Sequence, residues 1–168
     1  MKEKVEEMKI ELKFIVKAAI IASIYTALTI LLLPISYGPI QVRVSEALTV
    51  LPYFTPAAIP GLFVGCLIAN IAGGLGWMDI IFGSLATLIA AFLTYLVPKS
   101  RKLLVPLPAV IVNGLIVGWV VSTVYTENTL PMAVTMLTVA GGQAISCYGL
   151  GYPLLKLFEK YKIIKREE

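Results

Sequence analysis

The run VSEALTVLPYFTPAAIPGLFVGCLIANIAGGLG, Val44–Gly76, decides how often this chain crosses a membrane. It is apolar apart from Glu46, Asn70 and a few hydroxyls, and it is longer than the roughly 20 residues that one helical crossing needs. Pro52, Pro56 and Pro60 punctuate its first half. Each proline removes a backbone donor and clashes with the preceding turn, so one helix through all three is disfavoured. The run therefore reads as a short descending helix over Ser45–Phe54, a tight turn at Thr55-Pro56, and an ascending helix over Ala57–Leu75.

Working outward, four further apolar stretches are long enough to cross: Phe14–Leu33, Met78–Val97, Leu103–Tyr125 and Leu130–Leu155. The basic residues test the count. Lys2, Lys4, Lys9, Lys13 and Lys17 precede or open the first span. Lys99, Arg101 and Lys102 share one loop, and Lys156, Lys160, Lys162, Lys165 and Arg166 form a tail over 156–168. All three clusters fall on one side only if Val44–Gly76 is two crossings. The positive-inside rule then gives an all-α, polytopic integral membrane protein: a single transmembrane domain of six helices, the second short and broken, with both termini cytoplasmic. Residues 1–13 read as a cytoplasmic amphipathic segment with Val5, Met8 and Leu12 on one stripe.

Composition agrees. Of 168 residues 58% are hydrophobic and 14% charged, against about 25% charged in an ordinary soluble domain. The net charge of +4 belongs to topology, and no nucleic-acid partner is expected. There is no histidine, which removes the commonest general base and metal ligand, and no enzymatic activity, cofactor or metal is expected. Cys66 and Cys147 lie apart in apolar runs and read as small packing residues. No phosphate-binding GxxxxGK[ST] loop occurs. The N-terminal apolar stretch is too long for the core of a cleavable signal, and no A-x-A-like site follows it.

Polar groups between the spans gather on the outer side: Arg43, Glu46, Asp79 and Glu127, with Asn70, Asn113 and Gln143 inside the spans. Such groups are costly in a membrane, which points to an outward-facing pocket. Each also has a plainer reading. Glu46 and Asp79 sit at helix starts, where the dipole favours an anion, and Arg43 is close enough to pair with Glu46. The amides can serve as interhelical glue. Trp77 suits an aromatic belt, and Glu127 lies in a polar turn. Along the first helix Ala18, Ala22 and Thr26 recur every fourth residue, with Ala19, Ser23 and Ala27 beside them. Small residues at this spacing admit a close-packed helix, either from this chain or from a partner.

The stretch Tyr37–Pro52, and most specifically Arg43-Val44-Ser45-Glu46-Ala47-Leu48, resembles the QueT family, as do Thr55–Leu62, Asn70 and Trp77-Met78-Asp79. The likeness runs over essentially the whole chain. The resemblance implies a substrate-binding (S) component of an energy-coupling factor transporter in the cell membrane, importing queuosine precursors (7-deazaguanine bases). It also implies a membrane-embedded T component and two ATPase subunits as partners, with the loop between the first two helices acting as a lid. Ala18, Ala22 and Thr26 look like the surface by which S components dock on the T component. A deazaguanine edge carries adjacent N–H donors that one carboxylate accepts in parallel. Substrate-binding candidates are thus Glu46 and Asp79, then Asn70 and Arg43, with Gln143, Asn113 and Trp77 after them. Trp77, Tyr53 or Tyr37 could cover the ring face. Other readings are an S component for another vitamin-like compound, or an oligomeric channel or structural membrane protein.

Overall fold

The computed structural model describes residues 2–36, 42–124 and 130–164. Its helices are α1 (Lys2–Leu31), the one-turn α2 (Leu33–Ser36), α3 (Ala58–Ala72), α4 (Ser84–Tyr95), α5 (Leu107–Val124), α6 (Met132–Ala144) and α7 (Tyr152–Tyr161). A 3-10 helix, Val44–Tyr53, precedes α3; a π turn, Asp79–Gly83, leads into α4; and a second π turn, Ile145–Gly151, joins α6 to α7. No strand occurs among the described residues. Three helical stretches are long and apolar enough to cross a membrane: Met8–Leu31, Lys102–Val124 and Met132–Tyr161. Ala58–Ala72 and Asp79–Tyr95 are shorter apolar helices. The side chains facing away from the bundle are greasy: Ile20, Ile24, Ile71, Phe92, Leu115 and Leu137 are all well exposed. In water such a surface would aggregate, and in lipid it is solvated.

Several boundaries differ from the sequence reading, each for a local reason. Nothing in the Glu- and Lys-rich start breaks a helix, so 2–13 is no separate element and α1 runs unbroken from Lys2. Met8 and Leu12 of its expected apolar stripe are 62% and 60% exposed; Val5 lies outside the residues whose side chains are described. The last helix continues past Leu155 to Tyr161, into the expected tail.

The segment expected as a helix over 45–54 is a 3-10 helix of 10 residues. At about 2.0 Å per residue it reaches some 20 Å, where an α-helix of the same length would reach about 15 Å. Side-chain donors help hold this tighter winding. Thr49 Oγ1 donates to the Glu46 carbonyl at 2.6 Å, and the Cys147 thiol lies 3.6 Å from the same oxygen. Pro52, which has no N–H, sits in the final turn. The segment is buried nearly all round, from Ser45 to Tyr53, and the longer helices surround it.

Two close seams tie those helices together. A Cβ placed on Gly61 would lie 2.8 Å from the Ala18 carbonyl oxygen, and one on Gly65 2.9 Å from that of Ala22. The Thr26 hydroxyl donates to the Gly65 carbonyl at 3.0 Å. α1 and α3 therefore run side by side in the same direction, backbone against backbone. α5 and α6 meet as closely but antiparallel, with Gly114 against Ala140 and Gly118 against Met136.

Substituting Gly65→Ala should accordingly lower stability by about 1–3 kcal/mol, the usual cost of overpacking, in a thermal-unfolding measurement on detergent-purified protein. Gly141→Ala, where nothing stands within 4 Å of the new carbon, should leave the transition unchanged. Equal effects at the two positions would count against a tight α1–α3 seam.

Candidate ligand-binding site

The 3-10 winding has a side-chain consequence. Residues three apart eclipse one another in such a helix, so Glu46 and Thr49 stand in one row, and Arg43 precedes them in extended conformation at the helix start. Arg43, Glu46 and Thr49 are buried, at 3%, 1% and 0% exposure. Around Glu46 the neighbouring helices supply donors. The Tyr25 hydroxyl of α1 donates to Glu46 Oε1, and Asn113 Nδ2 of α5 donates to Oε2 at 3.3 Å. From Tyr25 to the end of α1 at Leu31 is about 9 Å of helix rise, which sets the carboxylate well inside the bundle.

Above this level lies a second polar layer. Arg43 Nε donates to the Ser36 carbonyl at 3.3 Å, and its Nη1 reaches Asn70 Oδ1 at 3.5 Å. Asn70 Nδ2 donates in turn to the Asp79 carbonyl at 3.0 Å, tying α3 to the π turn before α4. Thr29 Oγ1 donates to Ser45 Oγ at 2.6 Å. Below Glu46, Thr49 and Gln143 each approach the Cys147 sulfur, at 3.7 and 3.8 Å.

Six of the seven substrate-site candidates are thus buried within the bundle: Glu46, Asp79, Asn70, Arg43, Asn113 and Gln143. Trp77 does not join them; it is 64% exposed just before the π turn. Tyr53 lies at the far end of the 3-10 helix, its hydroxyl 3.5 Å from the Lys99 carbonyl. Tyr37, Glu127 and the central residues of the expected lid lie outside the described residues. Sequence reasoning missed Tyr25 and Thr29, whose spacing of four residues on the buried face of α1 was the available signal, and Thr87, whose hydroxyl approaches Cys66 Sγ at 3.3 Å. It also missed the edge-to-face pair Phe82–Trp119, with ring centroids 5.4 Å apart.

One atom in this cluster is left over. Asn113 is 2% exposed, its amide nitrogen serves Glu46, and its Oδ1 has no hydrogen-bond partner. Ser84 Oγ at the head of α4 and Thr135 Oγ1 on α6 are also buried and unpartnered. A buried polar atom without a partner costs about 1–3 kcal/mol, so these are places where a ligand gains by supplying donors. Among the described residues no group of three His, Cys, Asp or Glu side chains could hold a metal ion.

The Ala18/Ala22/Thr26 stripe faces α3 and forms the Gly61–Gly65 seam. The stripe beside it is the open one. Ala19, Ser23 and Ala27 are exposed and, with Ala22, Thr26 and Val64, line an apolar groove of about 440 Å³ along α1 and α3.

An all-helical chain coated with apolar side chains, with a buried, hydrogen-bonded polar cluster at its centre, is a membrane-embedded protein of the transporter class. The family model described as QueT transporter matches residues 15–160. The chain belongs to the QueT transporter family. A curated relative, "Queuosine precursor transporter QueT" of Lactococcus lactis subsp. cremoris (strain MG1363), is 44% identical over 77 residues, a stretch covering 45% of each protein. The matched chain thus spans under half the length of that relative. No solved structure matches.

Removing the phenol donor should expose the dependence of the bundle on Glu46. Tyr25→Phe should cost about 1.5–3 kcal/mol, the range for hydrogen bonds to charged groups, read as a fall in unfolding temperature. Ser23→Ala, whose hydroxyl bonds only within α1, should cost under about 0.5 kcal/mol.

Proposed function

We propose that this chain is the substrate-binding subunit of an importer for queuosine precursors, 7-deazaguanine bases taken up from outside the cell. The observation that supports it best is the pairing of a buried carboxylate with a spare amide oxygen. Glu46 keeps further lone pairs beyond those used by Tyr25 and Asn113, and Asn113 Oδ1 is unused. A deazaguanine edge brings a ring N–H and an exocyclic NH₂, two donors side by side, which such acceptors take in parallel. Asn113 acts here as an acceptor toward the ligand, because its own N–H is engaged by Glu46. The donor for the ligand carbonyl is then Arg43, with Asn70 and Asp79 holding it and Gln143 closing the inner end. Phe82 and Trp119 supply an apolar flank, and Trp77 stands at the rim. An analogue lacking the two donors would leave buried acceptors unpaired, and specificity follows.

The curated relative's name supports the substrate class. No covalent chemistry belongs to this reading. The energy comes from two ATPase subunits acting through a membrane-embedded T component, as in energy-coupling factor transporters. We place the docking face on the groove of α1 and α3, where Ala19, Ser23 and Ala27 continue the Ala18/Ala22/Thr26 stripe. Small side chains there let a partner helix approach closely.

Ligand binding by purified protein tests the reading. At a hundred times its Kd a ligand adds about 2.7 kcal/mol to stability, so the deazaguanines should raise the unfolding temperature, while riboflavin, thiamine and biotin should not. Glu46→Gln should weaken binding by roughly 10- to 100-fold, measured calorimetrically. Retained affinity would remove Glu46 from the site, and stabilisation by another vitamin alone would replace the substrate. Ser23→Leu should abolish co-purification with the T component while leaving ligand affinity unchanged.

A further inference from the structure

In most of this bundle a helical hydroxyl is spent on its own backbone. Thr29, Thr87, Thr138 and Ser146 each donate to a carbonyl three or four residues back, at 2.8–3.2 Å. Thr135 of α6 does not. Its side chain is buried, 3% exposed, and its Oγ1 has no partner. The carbonyl behind it, that of Pro131, already accepts the N–H groups of Val134 and Thr135, at 2.9 and 3.3 Å, which occupies both of its lone pairs. The Thr135 hydroxyl is left as a donor and an acceptor whose hydrogen rotates to suit a guest.

The height of Thr135 follows from the α5–α6 seam. With Gly114 against Ala140 and Gly118 against Met136, Thr135 lies level with Trp119 of α5. That is six residues, about 9 Å of helix rise, beyond Asn113 toward the Asp79 end of the bundle. Its direction follows from α6 itself. Thr135, Val139 and Gln143 recur every fourth residue along the buried face of that helix. Val139 shares one buried cluster with Val117 of α5 and Ala86 of α4, and Val117 stands one turn beyond Asn113. Asn113 and Thr135 therefore border the same wall of small apolar side chains, one at each end, and each carries an unpartnered oxygen.

Resting on the assignment of Glu46 and Asn113 to the base edge, we propose that Thr135 determines specificity at the other end of the ligand, where its hydroxyl bonds the polar tip of a short substituent on the five-membered ring. A fused base whose ring N–H and NH₂ meet Glu46 and Asn113 has its six-membered ring at their level. Its five-membered ring lies farther along the wall, and a group at the 7-position extends to the level of Thr135. A nitrile accepts from the hydroxyl and an aminomethyl group donates to it, so both are held, while a bare ring leaves the oxygen unpaired. Val117 and Val139 offer the ring only apolar contact, so its orientation rests on the polar groups at the two ends.

Calorimetric titration of the purified full chain with 7-deazaguanine and with its 7-cyano and 7-aminomethyl derivatives tests this. Wild type should bind the two derivatives about tenfold more tightly than the bare base. Thr135→Val, which removes the hydroxyl and keeps the shape, should erase that preference and leave the affinity for 7-deazaguanine unchanged; Thr135→Ser should keep the preference. Without ligand, the unfolding temperature of Thr135→Val should not fall, because no hydrogen bond within the protein is lost. Thr123→Val, whose hydroxyl bonds the Trp119 and Val120 carbonyls within α5, should retain the preference. A loss shared equally by all three compounds, no loss at all, or the same loss in Thr123→Val would overturn the role of Thr135 while leaving the base edge in place. Failure of wild type to bind any of the three would instead count against Glu46 and Asn113, and the role of Thr135 would fall with theirs.

Discussion

A carboxylate sealed inside a lipid-embedded bundle has to be hydrogen-bonded, and Glu46 imposes that requirement on three elements at once. An isolated charge in such surroundings is far too costly to keep. The phenol of Tyr25 on α1 and the amide of Asn113 on α5 satisfy it, one at each carboxylate oxygen, so both helices are tied to the 3-10 segment. Arg43 and Asn70 extend the network to α3 and the first π turn. The polar centre thereby fixes the relative heights of four of the surrounding elements.

The rest of the bundle is assembled on a different principle. Lipid tails are as apolar as leucine, so burial of greasy surface does not drive helices together within the membrane. Close approach does, and the seams use the residues that allow it: Gly61 and Gly65 against Ala18 and Ala22, Gly114 and Gly118 against Ala140 and Met136. Many of the large aliphatic side chains are left to the lipid face. One face of α1 thus serves α3 and its neighbouring stripe remains open, a division that a regular spacing of small residues does not by itself reveal.

What the sequence made legible follows from cost. A charged or amide side chain in an apolar run is conspicuous, so the buried polar residues Glu46, Asp79, Asn70, Arg43, Asn113 and Gln143 could be picked out before any coordinates. The triple proline showed that Val44–Gly76 is broken. Winding was not legible: over ten residues an apolar 3-10 helix and an apolar α-helix carry nearly the same pattern, and the reach of Thr49 and Cys147 to the Glu46 carbonyl exists only in the folded bundle. Tyr25 and Thr29 escaped notice because hydroxyls are common in membrane helices. Trp77 could not be placed from the sequence, because an aromatic residue at a membrane boundary suits a belt as well as a pocket; it is exposed and apart from the buried cluster. The two π turns left no compositional mark.

Those π turns and the 3-10 segment differ sharply in how they would respond to a change in chain length. A π turn is a helix that has already accommodated a surplus residue, so Asp79–Gly83 and Ile145–Gly151 are places where the chain has room to gain or lose one. The 3-10 row has none. Each residue advances it by about a third of a turn, and one insertion between Glu46 and Thr49 would swing half of the buried polar row out of line. Across descendants of this sequence, point changes around Glu46 are therefore open to compensation by neighbours. A shift in the length of that segment is not, and its spacing should outlast many of its side chains.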